Sequence, residues 1–217
     1  DEDSRVIALK MKQAEEAGAK VINLCNGENS VGFLKEIAKA IIDSGKAKKV
    51  AGYDEFAASV ASVKVSDEAK AIADQYLAAK KAMIVYQQNF LTVAGATLVA
   101  DIAMLSGHIG TPRDGILQVK AKNNSQGLID MGITAGKEAL EGVKALVVFG
   151  ENADIDTEAL EFLAVCDTHM TELGAKADVV IPGTGFASVD GTFTNTERRM
   201  QLVEAAIDED ILFSNWE

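Results

Sequence analysis

Apolar residues in the first half of the chain recur at helical spacing in four segments, which are separated by short apolar runs. The helical spacing predicts helices over residues 4–17, 34–42, 66–79 and 92–105. Gly18 is a candidate C-cap for the first helix and Ser66 a candidate N-cap for the third. The runs at 21–24 and 82–86 predict buried strands, and residues 45–55 predict a loop.

The second half of the chain repeats this alternation after a turn-rich break at residues 106–115, which contains three glycines and a proline. Strands are predicted at residues 145–149, 164–167 and 178–181, and helices at 157–163 and 171–176. Residues 191–201 are predicted to form a polar loop that leads into an apolar strand at 202–205.

Short apolar strands that alternate with helices indicate an α/β fold with mainly parallel sheets. We therefore predict two Rossmann-like lobes, the first over residues 1–115 and the second, truncated at its C-terminus, over residues 116–217. Ligands of such sheets bind beyond the carboxyl ends of the strands. The binding site is therefore sought in the loops after residues 24, 86, 149, 167 and 181.

The charge of the chain excludes two classes of partner. The net charge of −12 argues against nucleic acid and anionic membranes, since both attract positively charged surfaces. No uncharged apolar run reaches the length of about 18 residues that a membrane-spanning helix needs, and the acidic first residues are unlike a signal peptide. We expect a cytoplasmic protein, either free or held at the cytoplasmic face of a membrane through a complex.

Few residues of the chain are suited to catalysis or to metal binding. Cys25 and Cys166 are isolated, so cysteine builds neither an iron–sulfur nor a zinc site, and both are expected to be buried structural thiols. His108 and His169 are expected to be loop or surface residues rather than catalytic bases. No glycine-rich dinucleotide fingerprint follows a strand. We therefore predict no catalytic residue and no metal ligand.

Polar residues follow the strands of the second half. Gly150, Glu151 and Asn152 follow one predicted strand, and Asp167 ends the next. Such groups can hydrogen-bond purine edges or ribose hydroxyls, which favours a nucleotide-like or pterin-like pocket. They can equally cap helices, with Asn152 or Asp154 before Thr157 and Thr168 before Glu172. Arg198 and Arg199 suit either a surface ion pair or a phosphate.

Several longer motifs resemble one family. Residues 123–132, Asn-Asn-Ser-Gln-Gly-Leu-Ile-Asp-Met-Gly, resemble a stretch of the molybdopterin oxidoreductase family that is best known in formate dehydrogenase alpha subunits. Gly150-Glu-Asn, the run Ala177–Pro182 preceded by Asp167 and Thr171-Glu172, and residues 190–201 resemble later family motifs in the same order. The chain is therefore identified as an internal piece of a large subunit of this family.

The resemblance implies a cofactor and a set of residues that line it. Active members carry a bis-pterin guanine dinucleotide between α/β lobes. Their iron–sulfur domain and molybdenum ligand would lie upstream, in a part absent from this sequence. The implied partners are the rest of the same subunit and other subunits of a redox complex. The implied cofactor-binding residues are Asn124, Gln126, Gly150, Glu151, Asn152, Asp167, Thr171, Glu172 and Asp178.

Some positions depart from the family pattern. Asn23-Leu24-Cys25 stands where active enzymes carry an Asp-Pro-Arg type sequence, Ala153 replaces a proline, and Leu173 replaces a threonine. Ser188 stands where a glutamate is common. These departures resemble the large G-type subunit of NADH-quinone oxidoreductase (NADH dehydrogenase, or complex I), which is a scaffold without molybdenum. We predict that scaffold role and no cofactor in this piece; the alternatives are a catalytic, NAD-linked formate dehydrogenase and a generic nucleotide-binding module.

Overall fold

The computed structural model describes residues 4–24, 30–120, 122–134 and 136–207. Contacts divide the chain between Lys122 and Asn123 into two compact units, which we call unit 1 and unit 2. Within the described residues no helix is long and apolar enough to cross a membrane. The predicted lobe boundary between residues 115 and 116 stays a prediction about domain organisation.

Unit 1 contains five α-helices, a short 3₁₀ helix at Gln88–Phe90 and two strands among its described residues. In chain order the α-helices and strands are α1 (Arg5–Glu16), α2 (Ser30–Asp43), α3 (Tyr53–Val60), α4 (Asp67–Ala78), β1 (Met83–Gln87), α5 (Val93–Ser106) and β2 (Gly115–Val119). The four predicted helices and the strand at 82–86 are confirmed. The loop predicted at 45–55 is wrong at its end, because α3 begins at Tyr53.

The core of unit 1 lies where α2 packs against α4 and α5. α2 buries Leu34, Ile37, Ala38 and Ile41, whose spacing places them on one face. Each large aliphatic side chain contributes roughly 1.5–3 kcal/mol when it is fully buried. Ser66, the N-cap of α4, accepts a hydrogen bond from the Ala69 amide at 3.3 Å, as the sequence predicted.

β1 and β2 form a parallel pair in which Met83 lies opposite Gly115 and Gln87 opposite Val119. β2 was not predicted, because its five residues follow a turn-rich segment and include a glycine and a glutamine. Parallel pairing requires a crossover, which α5 provides between the two strands. Unit 1 is therefore an α/β unit.

The strand predicted at residues 21–24 is wrong. These residues have no regular secondary structure, and Val21 and Ile22 are exposed. A strand forms only where a neighbour accepts and donates its ladder hydrogen bonds. No strand in the described part of the chain pairs with this segment. Cys25, which follows it, lies outside the described residues.

Unit 2 is built on a sheet of three parallel strands. Its elements are α6 (Ser125–Asp130), β3 (Ala145–Phe149), β4 (Phe162–Asp167), β5 (Val179–Pro182), β6 (Gly191–Thr194) and β7 (Met200–Val203). The sheet order is β3-β4-β5, with Ala145 opposite Phe162 and Ala164 opposite Val179. The three strands predicted for this sheet are confirmed, and the fold is mixed α/β with mainly parallel strands.

The two helices predicted between these strands are wrong. Residues 157–160 form a turn in which the Leu160 amide donates to the Thr157 carbonyl at 3.1 Å, and β4 begins at Phe162. Of the second predicted helix only a 3₁₀ turn at Gly174–Lys176 is present. Segments of six or seven residues gain too few hydrogen bonds to offset helix nucleation, so tertiary contacts decide their conformation.

β6 and β7 form an antiparallel hairpin with Gly191 opposite Val203 and Thr194 opposite Met200. The polar loop predicted over 191–201 is therefore wrong at both ends and holds only for residues 195–199, and the predicted strand at 202–205 begins earlier, at Met200. Threonine and phenylalanine favour extended backbone, and Asn195 closes the turn by accepting from the Glu197 and Arg199 amides, both at 2.9 Å.

Candidate functional site

The carboxyl ends of β3, β4 and β5 lie at the same edge of the unit 2 sheet. The Gly150 amide donates to the Cys166 carbonyl at 2.8 Å, and the Gly183 amide donates to the Asp167 carbonyl at 2.9 Å. The three loops that leave the strands therefore start from neighbouring positions. We call the region formed by residues 150–152, 167–169 and 183 the carboxyl edge.

Gly150 gives the chain the backbone conformation with which it leaves β3. Its φ of +60° lies in the left-handed region, and a side chain there would meet open space. Glu151 follows with an exposed side chain. The backbone of this loop is thus open to a ligand at the residue where the strand ends.

Asp167 presents a half-buried carboxylate at this edge. Its Oδ1 accepts from the Thr168 amide at 2.7 Å and from the Thr168 hydroxyl at 3.4 Å. The Thr168 hydroxyl also lies 2.9 Å from Nδ1 of His169. Among the described residues, no donor reaches Oδ2 of Asp167, so this oxygen can accept a hydrogen bond from a ligand.

Asn152 and Thr171 brace the loops rather than face a ligand. Oδ1 of Asn152 accepts from the Leu173 amide at 3.3 Å, and Oγ1 of Thr171 accepts from the Gly174 amide at 3.0 Å. Leu173 itself is buried against Leu163 in the core of unit 2. Both side chains therefore cap the turn after β4. The predicted caps are wrong in their partners, because Asn152 does not cap a helix at Thr157 and Thr171 takes the place expected for Thr168.

Glu172 and Asp178 lie in other surroundings. Glu172 is exposed on the turn after β4. Asp178 precedes β5, at the amino-terminal edge of the sheet. Its Oδ2 accepts from the Leu163 amide at 2.8 Å, and its own amide donates to the Leu163 carbonyl at 2.9 Å. Asp178 therefore joins the starts of β4 and β5 and does not meet Gly150 or Asp167.

Asn124 and Gln126 lie with α6. Oδ1 of Asn124 accepts from the Thr194 amide at 2.9 Å, and Nε2 of Gln126 donates to Oδ1 of Asp130 at 2.8 Å. The same Asp130 oxygen lies 3.2 Å from Arg198. These side chains hold the β6–β7 hairpin against α6, so the structure gives Arg198 a carboxylate as its partner.

The carboxyl edge lies in an acidic stretch. Residues 145–175 contain seven carboxylates and neither lysine nor arginine. The carboxylates are Glu151, Asp154, Asp156, Glu158, Glu161, Asp167 and Glu172. Such a stretch suits ligand groups that donate hydrogen bonds and repels a phosphate that has no other support. No cluster of metal-ligating side chains is present among the described residues.

A polar cluster in unit 1 went unrecognised in the sequence. His108, expected in a loop or at the surface, follows α5 in a loop but is buried, with Nδ1 2.9 Å from Oδ1 of Asp114 and Nε2 2.8 Å from the Tyr76 carbonyl. Asp114 also accepts from the Ala82 amide at 2.9 Å. The sequence feature that could have indicated this cluster is Asp114, which directly precedes β2 and follows His108 by six residues.

The chain matches a family model described as "Molybdopterin oxidoreductase" over residues 34–211. It is 27% identical to the F420-dependent formate dehydrogenase 2 subunit alpha of Methanococcus maripaludis, in a match that covers 94% of this chain and 42% of the relative. It is 30% identical to an F420-dependent formate dehydrogenase subunit alpha of Methanocaldococcus jannaschii, over 60% and 27% of the two chains. The chain thus spans less than half the length of these relatives.

Proposed function

Because this chain belongs to the molybdopterin oxidoreductase family, we propose that it forms part of the alpha subunit of a formate dehydrogenase. We further propose that the carboxyl edge of unit 2 holds the guanosine end of a molybdopterin guanine dinucleotide. The observation that carries this proposal is the meeting of Gly150, Asp167 and Gly183 at the ends of three adjacent parallel strands.

The residues at this edge fit the guanosine end of such a cofactor. A guanine base offers N–H donors on its pairing edge, and Oδ2 of Asp167 is an acceptor without a partner among the described residues. Gly150 leaves its surroundings open, so a flat ring can approach the backbone. The acidic stretch does not suit a pyrophosphate, so we assign the phosphates to groups outside residues 145–175.

The roles of the side chains follow from their contacts. Asp167 would accept from the base, while Asn152 and Thr171 hold the two neighbouring loops in place. When bound, the cofactor supplies the two-electron chemistry at its metal. The residues described at this edge bind and orient one end of it, and none of them is assigned a catalytic role.

A scaffold role without molybdenum, as in the large G-type subunit of NADH-quinone oxidoreductase, is the second candidate. The observation that favours it is the state of the loop after β4. Leu173 stands where the family motif carries a threonine, and it is 4% exposed in the core. The Asn152 amide oxygen is occupied by the Leu173 amide, so two positions of the pocket serve packing instead of a ligand.

The proposal also concerns the partner subunits and the electron acceptor of this chain. The relatives are named as alpha subunits, which supports other subunits as partners of this chain. The NAD linkage belonged to the alternative prediction, a catalytic formate dehydrogenase, and stays a prediction. Three relatives are named F420-dependent formate dehydrogenases, and we propose F420 as the first electron acceptor to test for this chain.

The test replaces Asp167 in the subunit purified with its own partner subunits. Guanine nucleotide released by acid and molybdenum are both measured per subunit. Asp167→Asn places an amide N–H₂ against donors, so we expect the retained nucleotide to fall by about tenfold or more, the ratio that a hydrogen bond to a charged group supports. Glu158→Gln, an exposed carboxylate in the β3–β4 connection, is the matched control and should retain the wild-type amount.

The outcomes separate the two candidates. Wild-type subunit that carries neither molybdenum nor guanine nucleotide would overturn the cofactor proposal and support the scaffold. A loaded wild type whose Asp167→Asn variant retains all its nucleotide would remove Asp167 from the site. Equal losses in both variants would point to acidity in general rather than to one carboxylate.

A further inference from the structure

An open recess lies at the amino-terminal edge of the unit 1 sheet. It is lined by Lys81, Pro112 and Arg113. Lys81 stands two residues before β1, and Arg113 stands two residues before β2. Because the two strands are parallel and begin in register, both residues lie at the edge where the strands start. We call this feature the basic recess.

The ammonium group of Lys81 is held in place by two uncharged oxygens. Its Nζ donates to the Thr111 hydroxyl at 3.0 Å and to the Pro112 carbonyl at 2.7 Å. An ammonium group carries three donors, so one N–H is left for a further acceptor. Lys81 is therefore a positioned cation whose charge is not neutralised by its hydrogen-bond partners.

Arg113 has a backbone conformation that favours glycine. Its φ is +64°, and it follows Pro112 in the turn that precedes β2. Turns that need a positive φ after a proline usually place glycine or asparagine there. Arg198 also has a positive φ, but it lies in the β6–β7 hairpin turn and its side chain pairs with Asp130. Arg113 has no such pair, so the strain at this position points to a function of its side chain.

No carboxylate neutralises either cation of the recess within the described part of the chain, because neither Lys81 nor Arg113 forms an ion pair there. Asp114 is close in sequence, but its side chain is only 8% exposed. Its Oδ1 lies 2.9 Å from both the Ala82 amide nitrogen and Nδ1 of His108, and its Oδ2 accepts from the Thr111 hydroxyl. The Asp114 carboxylate is thus engaged inside the fold, and the recess presents two positive charges to solvent.

We propose that the basic recess binds a phosphate group. The Arg113 guanidinium offers five N–H donors in a planar fork, and Lys81 adds one more. A carboxylate has only two oxygens and one charge. A phosphate group presents three oxygens and close to two negative charges, which matches the two cations. Free phosphate and a small phosphate monoester share this chemistry.

The basic recess is separate from the site proposed for the cofactor. That site is formed by the carboxyl ends of strands in unit 2, whereas Lys81 and Arg113 precede strands in unit 1. A phosphate bound between them would join the segments that enter β1 and β2. Phosphate binding here neither requires nor predicts a pterin cofactor, so it can hold or fail independently of the proposed function.

Titration of the whole chain with inorganic phosphate tests the proposal. The amide NMR signals of Thr111, Arg113 and Asp114 are followed at constant ionic strength, with chloride as the balancing ion, because salt alone screens the charges of the chain. We expect these signals to shift and to saturate with a Kd on the order of 1 mM, as a few charge-assisted hydrogen bonds support. Acetate should not saturate them in the same range.

Two variants assign the contacts. Arg113→Gly removes one cation, and the chain should stay folded because glycine takes a φ of +64° without strain. Phosphate binding should weaken by about tenfold in this variant and by a similar factor in Lys81→Met. Lys80→Met is the matched control, since it removes the same charge from the adjacent residue, which does not line the recess. It should leave the Kd nearly unchanged.

The outcomes decide both the site and its ligand. The absence of saturable shifts in the wild type overturns the proposal, and so does an Arg113→Gly variant that keeps the wild-type Kd. Equal weakening by Lys80→Met also overturns it, because the effect would then come from the general charge of this edge. Saturation by acetate at similar concentrations would overturn the assignment to phosphate. Tighter binding of phenyl phosphate than of inorganic phosphate would support the proposal and identify a phosphate monoester as the ligand.

Discussion

His108 shows how one side chain can fix a loop through its chemistry alone. Its two ring nitrogens lie within hydrogen-bond distance of two oxygens, one of the Asp114 carboxylate and one of the Tyr76 carbonyl. The rings of His108 and Tyr76 also lie 4.7 Å apart. The cluster ties the end of α4 to the segment that enters β2.

The acidic partner of this cluster makes the stability of unit 1 depend on pH. The hydrogen bond from the Ala82 amide, followed by the interactions with His108 and Thr111, holds the pKa of Asp114 below its ordinary value, although burial opposes this. A carboxylate whose pKa is lower in the folded state than in the unfolded state stabilises the fold at pH values above its unfolded-state pKa. This stabilisation is lost as the pH falls through the folded-state pKa.

Asp114→Asn should therefore lower the melting temperature of unit 1 at neutral pH and lose this effect in strong acid, where the wild-type carboxyl is also neutral. Thermal unfolding followed across acid and neutral pH measures the difference. Asp74→Asn, in an exposed pair with Lys70 at 2.7 Å, is the control and should change little. A constant difference at all pH values would contradict the role of the charge.

At the scale of elements, prediction succeeded where a segment carries its own periodicity. The apolar rows of α2 and α5 and the runs of β3 and β4 are visible in sequence because burial selects those positions. β2 and β6 were missed, because β2 follows a turn-rich segment and the residues of β6 were assigned to a polar loop; each forms a strand by pairing with a neighbour. The same reason explains the predicted strand at 21–24 that does not form.

Prediction of the candidate site likewise succeeded for local features and failed for contacts between distant residues. The sequence predicted the polar residues that follow β3 and β4, because strands and their ends are local features. It could not separate Asp167, which keeps an open oxygen, from Asn152, whose oxygen is taken by a backbone amide 21 residues later. Asp178 was grouped with them through the family motif, although it lies at the opposite edge of the sheet.

The N-cap of α5 offers a test at this scale, because this helix supplies a large part of the unit 1 core. Oγ1 of Thr92 accepts from the Gly95 amide at 3.2 Å. Thr92→Ala should lower the free energy of unfolding of unit 1 by about 0.5–2 kcal/mol in denaturant titrations. Thr97→Ala, an exposed residue of the same helix, should cost nothing measurable, since alanine is the better helix former.

At the scale of the whole molecule, the charge is divided unevenly. Residues 1–122 contain 16 basic and 15 acidic residues, which leaves +1, whereas residues 123–217 contain 5 and 18, which leaves −13. The net charge of the chain therefore belongs to unit 2. Self-repulsion of this size destabilises a compact state, and salt screens it.

Sodium chloride should accordingly stabilise unit 2 more than unit 1. Hydrogen exchange read by mass spectrometry on peptides from each unit, at low and at physiological ionic strength, measures the two responses in one sample. Slower exchange with salt is expected in β3, β4 and β5, with little change in α2 and α5. An equal response in both units would argue that the charge is neutralised locally.

α1 differs from the other α-helices of unit 1, because it buries none of its residues. Its C-terminus is closed by Gly18 at a φ of +95°, whose amide donates to the Glu15 carbonyl while the Ala19 amide donates to Ala14. A helix of 12 residues is marginal alone, so opening it costs little free energy. Lys10 and Lys12 are therefore natural positions for a dye or a surface tether, since a label there leaves the core of unit 1 undisturbed.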